Sequence, residues 1–184
     1  MKQTLKYAKI SIYESAMENL PLEIERKYII KMPDLLALIE KEGYSHSKIS
    51  QIYLLSAPHV THRIRSREYD GKTVYTETKK IRVDKISAIE DERKISKEEF
   101  EKLSLLKRPG TNVIEKVRYT FLYSGFMIEI DVYPEWKRTC IMEIELKTSD
   151  EAPNIPDFIE IISEVTGNKK YSNAAMSEAF PEEV

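Results

Sequence analysis

Apolar and polar residues alternate along most of the chain, which is the pattern of β-strands with one buried face. Eight segments alternate in this way, and turns such as Asp70-Gly71 and Ser124-Gly125 separate some of them. The predicted strands are residues 22–30, 50–55, 61–67, 72–80, 87–95, 112–123, 126–133 and 140–147. Eight strands of this kind can close into a barrel and so remove the exposed edges of the sheet.

Helical signals lie between or after the strands. Residues 33–42 place their leucines and isoleucine on one side and stop at a glycine. Ser96-Lys97-Glu98-Glu99 is a capping box that predicts a helix to about residue 106. Residues 156–166 predict a third helix, and a short helix is expected after Ser172. For residues 1–20, a loose helix, an extra strand and a flexible lead-in all stay open.

The polar side of the predicted strands is almost entirely charged, and charges of one sign cluster within a strand. Arg63 and Arg65 share one face of the third strand, while Glu143 and Glu145 share one face of the last. A solvated face would tend to mix the two signs, because opposite charges on neighbouring strands attract. From the pattern alone, a solvated face and the lining of a barrel are equally good interpretations.

A charged barrel lining would need water or a charged ligand, because burying isolated ions is costly. The acidic members of this lining would be Glu23, Glu25, Glu90, Glu92, Glu129, Asp131, Glu143 and Glu145. The basic members would be Lys27, Arg63, Arg65, Lys79, Lys116 and Arg118. A polyphosphate carrying Mg²⁺ or Mn²⁺ suits this set, since carboxylates bind hard cations and Arg and Lys bind phosphate oxygens.

Composition narrows the class of protein. The chain has 184 residues, of which 41% are hydrophobic, enough for one ordered domain. Charged residues make up 33%, yet the net charge is only −2, so a nucleic-acid-binding protein is not expected. The sequence shows no apolar run of the about 20 residues that span a membrane and no apolar core of a signal peptide. One cysteine predicts no disulfide framework, and a cytoplasmic location is expected.

The segment Leu22-Glu-Ile-Glu-Arg-Lys-Tyr28 resembles the Glu-x-Glu-x-Lys signature of the CYTH superfamily, the triphosphate tunnel metalloenzymes. The later charged doublets are similar to those of that family in their order, and Glu164-Val-Thr166 resembles its closing segment. The resemblance covers about residues 22–180 and implies an α+β fold, a closed eight-stranded antiparallel barrel with flanking helices. One domain over residues 21–184, with residues 1–20 as an N-terminal extension, is therefore expected.

The resemblance also implies roles for particular residues. The basic set would bind phosphates, with Lys27 near the scissile bond. Glu23, Glu25, Glu143 and Glu145 would contribute most to metal binding, and the other acids would complete an acidic wall. Lys27, Glu25 and Glu145 are the predicted catalytic residues. Weaker candidates for the site are Arg67, Glu77 and Lys80.

The predicted activity is metal-dependent hydrolysis of the terminal phosphate of inorganic tripolyphosphate. The alternatives are ATP cyclisation, as in class IV adenylyl cyclases, thiamine triphosphate hydrolysis, and binding of a triphosphate without turnover. A small-molecule triphosphate is the expected partner, with no nucleic acid and no membrane, and a homodimer stays open. Trp136 is expected on the barrel rim, and Cys140 is expected to be a small buried apolar residue.

Overall fold

The structure is a computed structural model that describes residues 22–184, so the predictions for residues 1–20 lie outside the described residues. Within that range the strands belong to one sheet. The strands are β1 (Leu22–Lys31), β2 (Ser45–Tyr53), β3 (Val60–Tyr69), β4 (Lys72–Arg82), β5 (Ser87–Ile95), β6 (Ile114–Tyr123), β7 (Phe126–Val132), β8 (Thr139–Leu146) and β9 (Ile161–Glu164).

The sheet closes on itself. The order around the barrel is β1-β8-β7-β6-β2-β3-β4-β5, and β5 returns to the start of β1 through the pair Leu22 and Ile89. Every pairing is antiparallel, which confirms the predicted closed eight-stranded antiparallel barrel. The short strand β9 was not predicted. It pairs with the second half of β1, where Tyr28 lies opposite Glu164.

Two α-helices, α1 (Lys97–Ser104) and α2 (Asn173–Glu178), and a 3-10 turn at Lys169–Tyr171 accompany the barrel in the described chain. The predicted capping box is present, because the Ser96 hydroxyl accepts a hydrogen bond of 3.1 Å from the N–H of Glu99. The short helix expected after Ser172 is confirmed as α2. None of the helices described is long and apolar enough to span a bilayer.

Two predicted helices are wrong. Residues 33–42 form consecutive turns in which Leu38 is fully buried while Leu36 and Ile39 stay exposed. Residues 156–166 contain a turn followed by β9. The second half of β1 has no β5 beside it, so its backbone groups need another partner, and residues 161–164 supply one. Tertiary context therefore overrides the helical pattern in residues 156–166.

The outward apolar faces of β1, β7 and β8 form the main core beneath these two irregular segments. Ile30, Ile130, Met142 and Ile144 are fully buried there. Cys140 lies in the same cluster, as predicted, and burial raises the pKa of its thiol to about 12. The core therefore lies outside the barrel wall and leaves the lumen to polar side chains.

A second apolar cluster closes one end of the lumen. Ile29 and Ile141, which share the inward face of their strands with charged residues, contact aromatic side chains of the C-terminal segment. Trp136 lies on this rim, as predicted, with 2% of its surface exposed, and its Nε1 donates to the Pro181 carbonyl at 3.0 Å. Tyr171 packs beside it with a ring separation of 6.4 Å.

Replacing Trp136 by alanine should destabilise this closed end. We expect W136A to lower the free energy of unfolding by about 3–5 kcal/mol, because it removes a large buried side chain and leaves a cavity. Denaturant unfolding would measure the change. Leu105, which is 84% exposed, gives the control, and L105A should change stability by less than about 0.5 kcal/mol. An unchanged W136A variant would contradict this packing.

Candidate functional site

The barrel encloses a charged cavity of about 890 Å³. Its wall comes mainly from the inward faces of the strands, and residues 165–175 of the C-terminal segment complete it. The acidic side chains that line it on the strands are Glu23, Glu25, Glu90, Glu92, Glu129, Glu143 and Glu145. The basic side chains that line it on the strands are Lys27, Arg63, Arg65, Arg67, Lys80, Arg82 and Arg118.

The two signs of charge lie on opposite halves of the barrel. The strands β7, β8, β1 and β5 are consecutive in the closed sheet and carry all of these carboxylates. We call this half the acidic arc. The strands β6, β2, β3 and β4 are consecutive as well and carry these basic residues except Lys27, and we call this half the basic arc. The cavity is therefore electrically polarised across its width.

Arg118 joins the two arcs where β6 meets β7. Its guanidinium contacts Asp131 and Glu143 at 2.6 Å and also pairs with Glu129. Beneath it, Lys116 Nζ lies 2.5 Å from Asp131 Oδ2, and both side chains are fully buried. Burial alone would lower the pKa of Arg118, but these carboxylates raise it well above its ordinary value. This network is charged and internally paired.

Lys80 and Arg63 join the arcs on the other side, where β4 meets β5. Arg63 Nη2 lies 2.7 Å from Glu90 Oε1, and Lys80 pairs with Glu23 and, at 3.2 Å, with Glu90. Burial raises the pKa of the Glu23 carboxyl to about 7, against the attraction of Lys80. The Glu23 carboxyl therefore binds a proton more readily than an exposed glutamate does.

The centre of each arc has few charge partners. Within residues 22–184, Arg65 forms no ion pair, and its buried Nε has no hydrogen-bond acceptor. Its one side-chain hydrogen bond goes to Gln51 Oε1 at 3.4 Å. Burial, followed by the positive charges of Arg63 and Arg118, lowers the pKa of Arg65 to about 10. A buried guanidinium in this state favours an incoming anion.

Glu25 and Glu145 occupy the corresponding place in the acidic arc. They lie directly opposite each other on β1 and β8, so two carboxylates face the cavity side by side. Glu145 has no ion pair in the part of the chain that the structure describes, and Glu25 has only Lys27, at 3.7 Å. Like charges placed opposite each other repel. The pair therefore favours an incoming cation.

Lys27 is the one base on the acidic arc among the described residues that line the cavity. Its Nζ lies 2.6 Å from Glu143 Oε1 and 3.7 Å from Glu25 Oε1. Burial alone would lower the pKa of Lys27, but Glu143 and Glu25 raise it above its ordinary value. The ammonium therefore stays charged and faces the cavity.

The CYTH domain family matches residues 21–176. The chain belongs to the CYTH family. Its fold is similar to that of the inorganic triphosphatase NE1496, with 27% identity, a TM-score of 0.56, and coverage of 87% of this chain and 97% of that one. It also resembles the PH1819 protein from Pyrococcus horikoshii OT3, with 20% identity, a TM-score of 0.53, and coverage of 70% and 80%. A comparison with curated proteins gives no match.

Most of the predicted site residues line the CYTH cavity, but three do not. Lys79 points to the outer face of β4, because Thr78 and Lys80 take the inner positions on either side of it. Asp131 and Lys116 are buried against each other beneath Arg118 and are not part of the cavity wall. The structure therefore does not indicate a direct contact between a ligand and any of these three residues.

The CYTH cavity also contains residues that sequence reasoning ranked low or missed. Lys80 and Arg67 were weaker candidates and line the wall, whereas Glu77 lies on the outer face, 2.7 Å from His62 Nε2. Arg82 was missed, although it shares an inner face with Lys80. Other lining residues that the sequence did not assign to the site include Tyr53, Arg108, Thr166 and Lys169.

No set of three or more Asp, Glu, His or Cys side chains converges as a complete cation site among residues 22–184. A pair such as Glu25 and Glu145 nevertheless suits Mg²⁺, which commonly takes one or two carboxylates together with oxygens of a substrate phosphate and water. The side chains present therefore fit a cation that arrives with an anionic substrate, as the predicted Mg²⁺ or Mn²⁺ would.

Adjacent lysines on β4 allow a direct test of this CYTH site. K80A should lower kcat/KM for a triphosphate substrate at least about tenfold, a change of about 1.4 kcal/mol, because it removes a cation from the cavity wall. K79A, on the outer face, should stay within about twofold of the wild type. Steady-state phosphate release would measure both. The reverse ranking would contradict the placement of the two side chains.

Proposed function

We propose that this CYTH protein hydrolyses the terminal phosphate of inorganic tripolyphosphate with the help of Mg²⁺ or Mn²⁺. The proposal rests on two centres whose charges have few partners, Arg65 in the basic arc and the Glu25–Glu145 pair in the acidic arc. A triphosphate with its cation carries both of the charges that these centres lack. A simple anion or a simple cation would satisfy only one of them.

Glu25 and Glu145 would hold the cation, with Glu23 and Glu143 nearby on the same two strands. Bound there, Mg²⁺ or Mn²⁺ would supply Lewis-acid neutralisation of the phosphate oxygens. The requirement for both a carboxylate pair and phosphate oxygens means that cation and substrate would bind together. The cation is therefore expected to bind weakly in the absence of a triphosphate.

The basic arc would bind and orient the phosphate chain. Arg63 and Arg65 lie on β3 and Arg118 lies on β6, and side-chain hydrogen bonds hold each guanidinium in place before a ligand arrives. Fixed donors of this kind stabilise charge that develops on the leaving pyrophosphate without reorganisation. Lys27 would contact the phosphate being transferred to water. Water then attacks the terminal phosphorus, the bridging P–O bond breaks, and phosphate and pyrophosphate leave.

The cavity gives little support for a nucleoside. Tyr53 is the only phenylalanine, tyrosine or tryptophan among the lining residues described, and 3% of it is exposed. Cyclisation of ATP would need side chains that hold base and ribose in line with the α-phosphorus. The similarity to NE1496, which is described as an inorganic triphosphatase, favours the same substrate class. Cytoplasmic location accords with such a substrate, and homodimer formation stays a prediction.

An assay of product release tests the proposed reaction. The wild-type protein with Mg²⁺ or Mn²⁺ should release phosphate from tripolyphosphate with a higher kcat/KM than from ATP or thiamine triphosphate. Excess EDTA should abolish the release, and added Mg²⁺ should restore it. Cyclic AMP and pyrophosphate as the main products of ATP, with tripolyphosphate left intact, would contradict the proposal. Full activity in EDTA would contradict the role of the cation.

Glu145→Gln tests the cation-binding pair. It removes one of the two facing carboxylates with almost no change in shape, so kcat/KM for tripolyphosphate should fall at least about 10²-fold, or about 2.7 kcal/mol. The Mg²⁺ concentration needed for half-maximal rate should rise. Glu135→Gln, in an exposed turn, is the matched control and should leave both quantities unchanged. An E145Q variant with normal Mg²⁺ dependence would show that Glu145 does not hold the cation.

A further inference from the structure

The strand β1 changes partner in the middle of the site. The Glu25 N–H donates to the carbonyl of Ile86, the residue just before β5, at 3.0 Å. Two residues later the partner is the C-terminal segment, where the Val165 N–H donates to the Lys27 carbonyl at 2.8 Å. The N–H of Lys27 falls between the two neighbours. It donates instead to a side chain, Thr166 Oγ1, at 3.0 Å.

The Thr166 hydroxyl is oriented to accept this hydrogen bond. A hydroxyl has one proton and two lone pairs, and the shortest contact of Thr166 Oγ1 is 2.7 Å to Glu164 Oε1. Donation to that carboxylate leaves the lone pairs for the Lys27 N–H. Thr166 therefore replaces a missing backbone partner with a side chain, beside a residue that points into the cavity.

The loop around Thr166 is held in place on its other side. Gly167 has φ +72°, a conformation that suits glycine, and a Cβ there would lie 3.0 Å from the Lys85 carbonyl oxygen. The turn between β4 and β5 thus packs directly against this glycine. Strand β1, the β4–β5 turn and the C-terminal segment meet at this point, so Thr166 has little freedom to move away from Lys27.

We propose that Thr166 is a positioning residue for Lys27. Its hydroxyl holds the backbone of β1 at the change of partner and so keeps the Lys27 ammonium between Glu143 and Glu25. The proposal rests on the proposed function, in which Lys27 contacts the phosphate that is transferred. A small displacement of that ammonium would weaken its contact with the reacting phosphate more than the binding of the whole chain of phosphates.

Thr166→Val and Thr166→Ser separate this role from a general loss of stability. Valine keeps the shape of threonine but cannot accept the Lys27 N–H, whereas serine keeps the hydroxyl. We expect T166V to lower kcat for tripolyphosphate at least about tenfold with less than about threefold change in KM. T166S should retain kcat within about threefold. Thr139→Val is the control, because Thr139 lies opposite Lys31 on β1 and bonds Glu183 at 3.2 Å away from the cavity.

Amide hydrogen exchange provides a readout that needs no substrate. The Lys27 amide should exchange at least about tenfold faster in T166V than in the wild type, while T166S and T139V should retain its protection. Unchanged exchange at Lys27 in T166V would overturn the proposal, as would faster exchange with an unchanged kcat. A wild-type protein that hydrolyses none of the triphosphates would contradict the proposed function, and the exchange result would still show whether Thr166 holds Lys27.

Discussion

Ionised side chains inside a closed barrel are the constraint on which the rest of this fold depends. Each would cost several kcal/mol to bury alone, so the lumen can exist only if most charges are paired. Arg118 meets much of this requirement, because one guanidinium reaches carboxylates on both β7 and β8. Lys116 completes the pairing of Asp131 below it. Lys116 and Asp131 therefore lie buried behind the cavity wall. This burial explains why neither residue is exposed to a ligand, although the sequence predicted a contact for both.

The order of the strands determines which charges stay unpaired. Acidic and basic strands alternate irregularly along the chain, but the barrel gathers them into two arcs. Ion pairs between the two arcs form where the arcs meet, at Arg118 on one side and at Lys80 and Arg63 on the other. Arg65 and the Glu25–Glu145 pair lie at the centres of the arcs, out of reach of such partners. The separation of positive and negative groups into two arcs is thus a consequence of the strand order, and this separation favours a ligand that carries both signs of charge.

The sequence predicts which side of a strand faces the lumen where charged and apolar residues alternate, but it does not predict the register between strands. Period-two alternation identifies the inward side of β8, because Glu143 and Glu145 alternate with apolar residues along it. On β4 the same signal fails, since the inner positions 76 and 78 are threonines and two adjacent lysines follow. The choice between Lys79 and Lys80 then depends on the register with β3 and β5, which no local pattern contains.

The wrong helix over residues 156–166 has a related cause. Helical spacing in residues 156–166 is real, but a strand edge on β1 offers backbone partners that an isolated helix does not need. The length of β5, and therefore the existence of that edge, follows from how the barrel closes. Local propensity could not reveal it, because the competing interaction joins segments more than 130 residues apart.

The C-terminal segment contributes both to the closure of the barrel and to the site. Its aromatic residues close one end of the lumen, and its strand β9 and Thr166 complete β1 where β5 has turned away. Lys27, the one base among the carboxylates of the acidic arc, lies at that junction. In the proposed function its ammonium would face a phosphate while its neighbours would attract a cation, so its position would matter more than its charge alone. Strand β1 is therefore paired least regularly near Lys27. There the Thr166 side chain, and not a backbone neighbour, holds the strand in place.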